Sequence, residues 1–232
     1  MATNPGSIFH RLLSLFIRII LYGFGIFFCW WTYSQEFSSF VNLLILIGGM
    51  LFVFPIVWIG RIILDRQPTI DRAKWTTVLV HFGMLVPLGV VPIKAVQTAQ
   101  SWAGWTIPIP LLIGEILVII TAILVMLTII NMAVKGLGAP FAIALTRKLN
   151  TDWIYAWNRN PMVLTFFAFM LSLGIWFQSV NFLLWVIILV IPTWIFFLKV
   201  YEERELEIRF GASYLAYKSR TPFLFPRKPR SL

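Results

Sequence analysis

Six stretches of this chain are apolar enough, and long enough, to cross a lipid bilayer, and that leaves few folds open to it. They run roughly over Leu12–Tyr33, Phe40–Ile63, Trp75–Val96, Ile107–Val134, Pro161–Phe177 and Asn181–Tyr201. A helix needs about 20 apolar residues to cross the hydrocarbon, within a range of about 17–25. In lipid the backbone must satisfy its own hydrogen bonds, so such stretches form helices and not open strands. Composition points the same way. The chain is 59% hydrophobic and 12% charged, against about 25% charged for an ordinary soluble domain. The expected fold is therefore all-α: a polytopic transmembrane helical bundle of about six spans. The first apolar run is too long for a cleavable signal and lacks a small-residue cleavage site, so it reads as a retained anchor.

Charge fixes the expected topology. Of 19 Lys and Arg residues, only Lys94 falls near the loops 34–39, 97–106 and 178–180. The other 18 (19 − 1) gather with the N-terminus, the loops 61–74 and 135–159 and the C-terminal tail, Arg18 and Lys199 lying just inside the adjoining spans. Positive charge marks the cytoplasmic side. Both termini are thus expected there, in a bacterial inner or plasma membrane rather than the endoplasmic reticulum. The net charge of +10 is then topogenic and lipid-facing, so no nucleic-acid partner is expected. Cys29 is the single cysteine, which excludes an intrachain disulfide and a cysteine metal cluster. His10 and His81 lie far apart, and no metal site is expected. Trp residues cluster near the span ends, as an aromatic belt should.

Two polar fragments stand out against this background. The first is Tyr155-Ala156-Trp157-Asn158-Arg159-Asn160-Pro161-Met162. Pro161 suits a first helical position and Asn160 suits a cap. Arg159 at a helix N-terminus could also face an anion. The second runs from Glu202-Glu203 through Phe210-Gly211 to Tyr214, Tyr217 and Arg220. Helical continuation past Tyr201 would put Leu206, Phe210 and Tyr214 on one face of a cytoplasmic C-terminal amphipathic helix at the interface. Glu205–Arg209 would be a solvated i,i+4 pair on it. An apolar hairpin joins the two fragments, so they can meet if both of its ends lie on one side. Elsewhere, Glu115 is an intramembrane carboxylate with Lys94 as a plausible partner. His81 suits a bond to a neighbouring helix. Gly136-Leu137-Gly138-Ala139-Pro140 reads either as a helix stop or as a loop whose backbone approaches a ligand.

Over roughly residues 130–226 the order of these features resembles the membrane methyltransferases related to isoprenylcysteine carboxyl methyltransferase and the phospholipid N-methyltransferases. The shared elements are the Gly-x-Gly with proline, Tyr155-x-x-x-Arg159-Asn160-Pro161-Met162, the apolar hairpin, and Glu202-Glu203-x-x-Leu206-x-x-x-Phe210-Gly211-x-x-Tyr214-x-x-Tyr217. Trp153-Ile154-Tyr155 stands where the family has Gly-Pro-Tyr, and Asn160 where it often has histidine. Residues 1–130 show no such resemblance. The resemblance implies an S-adenosylmethionine-dependent methyltransferase without a metal. Tyr155, Arg159, Asn160, Pro161, Glu202, Glu203, Tyr214 and Tyr217 would bind the cofactor, and Arg159 and Arg220 would serve as catalytic residues that orient the acceptor. Residues 1–134 would form a four-span substrate side and residues 135–232 the cofactor-binding region. The acceptor would be lipophilic or small: a prenylcysteine carboxylate, a lipid amine or a thiol. Two other readings stand beside this one: a membrane sterol or enone reductase using NADPH, and a non-catalytic scaffold or transport protein.

Overall fold

The computed structural model describes residues 5–102, 104–136 and 148–228. Among the described residues the secondary structure is helical throughout, with one isolated antiparallel bridge between Thr106 and Ser179. The helices are α1 (Pro5–Ser34), α2 (Ser39–Leu51), α3 (Val53–Arg66), α4 (Ile70–Leu85), α5 (Val91–Thr98), α6 (Leu111–Gly136), α7 (Ile154–Trp157), α8 (Pro161–Trp176), α9 (Val180–Trp185), α10 (Ile191–Phe197), α11 (Glu203–Phe210) and α12 (Ala212–Arg220). The expected all-α bundle is what forms.

Among the described residues, three helical rods are long and apolar enough to cross a membrane alone: Ser39–Arg66, Leu111–Lys135 and Val180–Phe210. The pair Ile70–Leu85 and Pro87–Thr98, bent by 42°, is long and apolar enough for a fourth when the two are taken as one broken span. Ile19–Ser34 and Pro161–Trp176 are shorter apolar helices. Each element overlaps one of the six apolar stretches. Prolines explain two irregularities. The π turns Val86–Val90 and Val186–Val190 are each followed two residues later by a proline, Pro92 and Pro192. Proline has no N–H for the carbonyl one turn back, and a wider turn accommodates that gap. A third π turn, Leu198–Glu202, has no proline after it and lies where the polar fragment begins.

The rod Val180–Phe210 has 31 residues. At 1.5 Å per residue it is about 46 Å long, well beyond a hydrocarbon core of about 30 Å. Its last turns, with all four glutamates of the fragment, therefore project past the core.

One hydrophobic core joins the two halves of the chain. It runs from Leu46 and Met50 on α2, through Val57 and Met84, to Phe167 on α8, Phe197 and Tyr201. The helix α6 packs chiefly on α8. Gly114 makes their close crossing possible, because a Cβ there would meet the backbone of Trp176. The rest of α6 turns Ile116, Ile119, Ile123 and Ile130 outward, as a lipid-facing helix should.

The loops sort into two ends. At one end Lys94 Nζ donates to Gln35 O (2.7 Å), Val180 N donates to Trp105 O (3.2 Å), and Ile107 N donates to Gln178 O (3.0 Å). At the other end Arg204 pairs with Asp65 (2.8 Å) and Arg159 with Glu203 (2.9 Å). Glu115 and Lys94 do not pair. Glu115 is exposed on α6, whereas Lys94 is buried against the end of α1. The reason is packing: α5 meets α1 and α2, while α6 meets α8.

Candidate active site

The chain turns abruptly before α8. Asn158 is buried, and its Oδ1 accepts from the backbone N of Asn160 at 2.9 Å. Pro161 opens α8 at its first position, as expected. Asn160 occupies the cap position, but its side chain makes no cap bond. Its Nδ2 donates instead to Phe223 O, 2.9 Å away. That bond belongs to a strap of residues 221–227. Arg159 N donates to Pro222 O (2.9 Å), and Arg227 N donates to Trp157 O (3.0 Å). Phe223 lies under two cations, with Lys199 Nζ 4.0 Å and the Arg159 guanidinium 5.7 Å from its ring centre. Cation–π contacts of this kind hold a ring in place.

Past Glu202 the last rod carries charge on several faces. Glu205 pairs with Arg209 at 2.6 Å, as the spacing predicted, but both side chains are buried. The helix α11 packs against α3 and α4, so it is not a solvated interfacial helix. It also stops earlier than continuous helix would. Gly211 adopts φ 52, ψ −130 between α11 and α12, a backbone conformation that favours glycine. Tyr214 therefore sits on a separate helix from Leu206 and Phe210, although all three reach the same cavity.

The hairpin does bring the two fragments together. Arg159 Nη1 lies 2.9 Å from Glu203 Oε1, with both side chains about nine-tenths buried. Lys218 Nζ reaches Glu203 Oε2 (2.8 Å) and Glu207 Oε1 (2.9 Å). Tyr217 donates from its hydroxyl to Tyr155 O at 2.6 Å. The Arg159–Glu203 contact is close but poorly aligned. Arg159 Nε and Nη1 and Glu203 Oε1 are buried and make no hydrogen bond. The charges pair, but buried donors and acceptors without hydrogen bonds are costly unless something else satisfies them.

Beside this pair is a cavity of about 150 Å³. Its polar wall contains Tyr155, Arg159, Asn160, Glu202, Tyr214 and Tyr217. Burial, before any other influence, raises the pKa of the Tyr155, Tyr214 and Tyr217 phenols, so their O–H groups stay intact. Burial also opposes the charge on Lys218, but the Glu203 and Glu207 carboxylates outweigh it and raise its pKa. Of the other expected site residues, Glu203 touches the wall only through Arg159. Pro161 is buried at the start of α8, outside this cavity. Arg220 is exposed at the end of α12, and its carbonyl accepts from Arg227 Nη2 at 3.4 Å.

The far wall is apolar and comes from helices that carry no motif. Met84 and Leu88 come from the bent α4 region, Met132 from α6, and Trp194 and Phe197 from α10. His81 lies there too, with Nδ1 2.9 Å from Thr77 O of its own helix and its ring edge-on to Phe197. The expected bond to a neighbouring helix is thus replaced by one within α4. Lys148 and Asn150 also reach the cavity. The glycine-proline segment lies outside the described residues beyond Gly136.

A transmembrane bundle with a charged, aromatic-walled cavity at one end, open toward an apolar wall, suits an enzyme that meets its substrate at the bilayer edge. Residues 109–213 match the model of the phospholipid methyltransferase family, so this stretch of the chain is similar to that family. This is an integral membrane methyltransferase family, as the motif resemblance implied. No curated protein and no solved structure matches the chain.

Proposed function

We propose that the protein transfers a methyl group from S-adenosylmethionine to a lipophilic or small acceptor. The observation that carries this reading is the buried Arg159, whose Nε and Nη1 lack hydrogen bonds beside a cavity walled by both polar fragments. The donor set fits the cofactor. Arg159 suits its carboxylate through charge-assisted bonds. Glu202 suits an ammonium group or ribose hydroxyls. The rings of Tyr155, Tyr214 and Tyr217 suit a sulfonium cation. The cofactor supplies an electrophilic methyl group. The chain's own residues contribute position, which supplies much of the acceleration in such a displacement.

Arg159 and Asn160 are held by the strap 221–227, and Tyr217 ties α12 to Tyr155. Together these contacts hold the polar wall in place. The apolar wall of Met84, Leu88 and Met132 favours an acceptor that arrives from the membrane. We place this site, with both termini, on the cytoplasmic side, where the basic residues gather.

Isothermal titration of the detergent-solubilised protein with S-adenosylmethionine and, separately, with NADPH tests the reading. Binding of S-adenosylmethionine alone is expected. Binding of NADPH alone would point to a reductase, and binding of neither to a scaffold.

A further inference from the structure

One polar side chain of the cavity has no place among the cofactor contacts. His81 stands on the otherwise apolar far wall, three residues before Met84 and so on the same face of α4. Its Nδ1 lies 2.9 Å from Thr77 O. A carbonyl only accepts, so Nδ1 carries the hydrogen and Nε2 the lone pair of the neutral ring. Among the described residues Nε2 has no hydrogen-bond partner. Trp194 Nε1, on the same wall, is unpaired too, but it is sealed in the core. His81 Nε2 differs, because it remains accessible on the cavity wall.

The wall around this open acceptor limits what can meet it. Met84, Leu88 and Met132 carry no charge, so an ammonium or a carboxylate pressed against them loses hydration without gaining a partner. A thiol behaves as a small hydrophobe with a weak S–H donor, and Nε2 accepts that hydrogen. Acid–base order agrees. A carboxylic acid, at about 4, is already ionised and needs no base. An ammonium, at about 10.4, holds its proton too tightly for an ordinary imidazole at about 6.5. A thiol keeps lone pairs while still protonated, and its S–H becomes strongly acidic as the sulfur is alkylated, so a neutral imidazole is base enough. Lys148, exposed where the cavity opens, is the residue that would serve a carboxylate instead.

We infer that His81 Nε2 takes the proton in the transfer and that the methyl acceptor is an apolar thiol, an inference that rests on the methyltransferase reading above. The thiol sulfur forms a bond to the methyl carbon. The bond from that carbon to the cofactor sulfur breaks and leaves its electron pair there. The thiol proton passes to Nε2. Thr77 O, accepting from Nδ1, steadies the imidazolium until water removes the proton.

The test uses the full chain in phosphatidylcholine nanodiscs. Its two histidines are His10 and His81, so nitrogen NMR of isotope-labelled histidine in His10→Asn reads His81 alone. Without cofactor, decanethiol should move the Nε2 resonance and decane should not. With S-adenosylmethionine, decanethiol should be methylated at least about tenfold faster than decylamine or decanoate. His81→Asn keeps an N–H for Thr77 O and removes Nε2. It should lower kcat on decanethiol about 100-fold, the scale of a lost general base, with cofactor affinity and melting temperature unchanged. Pentafluorothiophenol, a thiolate at neutral pH, should be methylated as fast by the variant as by the wild type. Equal slowing of both thiols would make His81 structural only. That result, an unmoved resonance, decanoate or decylamine as the best acceptor, or no methylation of any probe overturns the proposal. A wild type that bound no S-adenosylmethionine would sink the methyltransferase reading itself, whereas the cofactor-free resonance tests His81 alone.

Discussion

Lys94 and Arg159 are buried cations at opposite ends of the same bundle, and they are held in opposite ways. The three donors of Lys94 all find oxygens: Gln35 O, Gln97 Oε1 and, at 3.5 Å, Thr32 O. Two of these are carbonyls at the C-terminal end of α1, where a helix has unpaired acceptors and partial negative charge. Arg159 has five donors, yet Nε and Nη1 make no hydrogen bond, although Glu203 is 2.9 Å away. The lysine completes a structure. The arginine leaves one incomplete, beside a cavity. Buried donor atoms left without acceptors beside an ion pair are the kind of defect that a native protein keeps where a ligand will repair it.

The comparison breaks first at Lys94. Lys94→Ala should lower stability by about 3 kcal/mol, since bonds to a charged donor are worth about 1.5–3 kcal/mol each; thermal unfolding in detergent would measure this, with cofactor affinity unchanged in whatever remains folded. Arg159→Ala should do the reverse. Loss of S-adenosylmethionine affinity of about 100-fold is expected from two charge-assisted bonds. The melting temperature should barely move, because Glu203 keeps Lys218. If Arg159→Ala destabilised as strongly as Lys94→Ala, the arginine would be structural after all.

A smaller effect comes from Lys218, whose pKa is raised because its carboxylate partners outweigh the opposing burial. For a raised pKa, the added stability is complete below the unfolded value of about 10.4 and is lost as pH rises through the folded value. The contribution is under about 1 kcal/mol, because the side chain is one-third exposed and solvent screens it. A stability–pH series from 9 to 12 should show that loss in the wild type and not in Lys218→Met. Last, Glu115→Gln should change affinity by less than about 0.5 kcal/mol, since Glu115 is exposed on α6 at a distance from the polar wall.

How much of this was legible depended on whether a residue announced itself locally. The spans were legible because about 20 consecutive apolar residues have few other uses. The meeting of Arg159 with Glu203 was legible from the order of the fragments around one hairpin. Met84, Leu88 and Met132 were not, because an apolar residue in an apolar span carries no mark of which neighbour it faces. His81 was visible, but its place in the cavity depends on the bend between α4 and α5 and on the packing of α10. The burial of Glu205 and Arg209 was hidden for the same reason: i,i+4 spacing looks identical whether solvent or α4 covers it. The Lys94–Glu115 pairing failed because sequence placed both near one end without saying that α5 and α6 face different neighbours. The strap around Phe223 had no pattern at all, since its bonds to Arg159, Asn160 and Trp157 run mainly through backbone atoms.

The central claim is that two separated fragments form one cofactor site. Hydrogen–deuterium exchange with and without saturating S-adenosylmethionine tests it most directly. The account predicts that protection appears together in residues 155–160 and 199–217, with no change around Lys94 at the other end. Protection confined to one fragment, or absent from both, would contradict it.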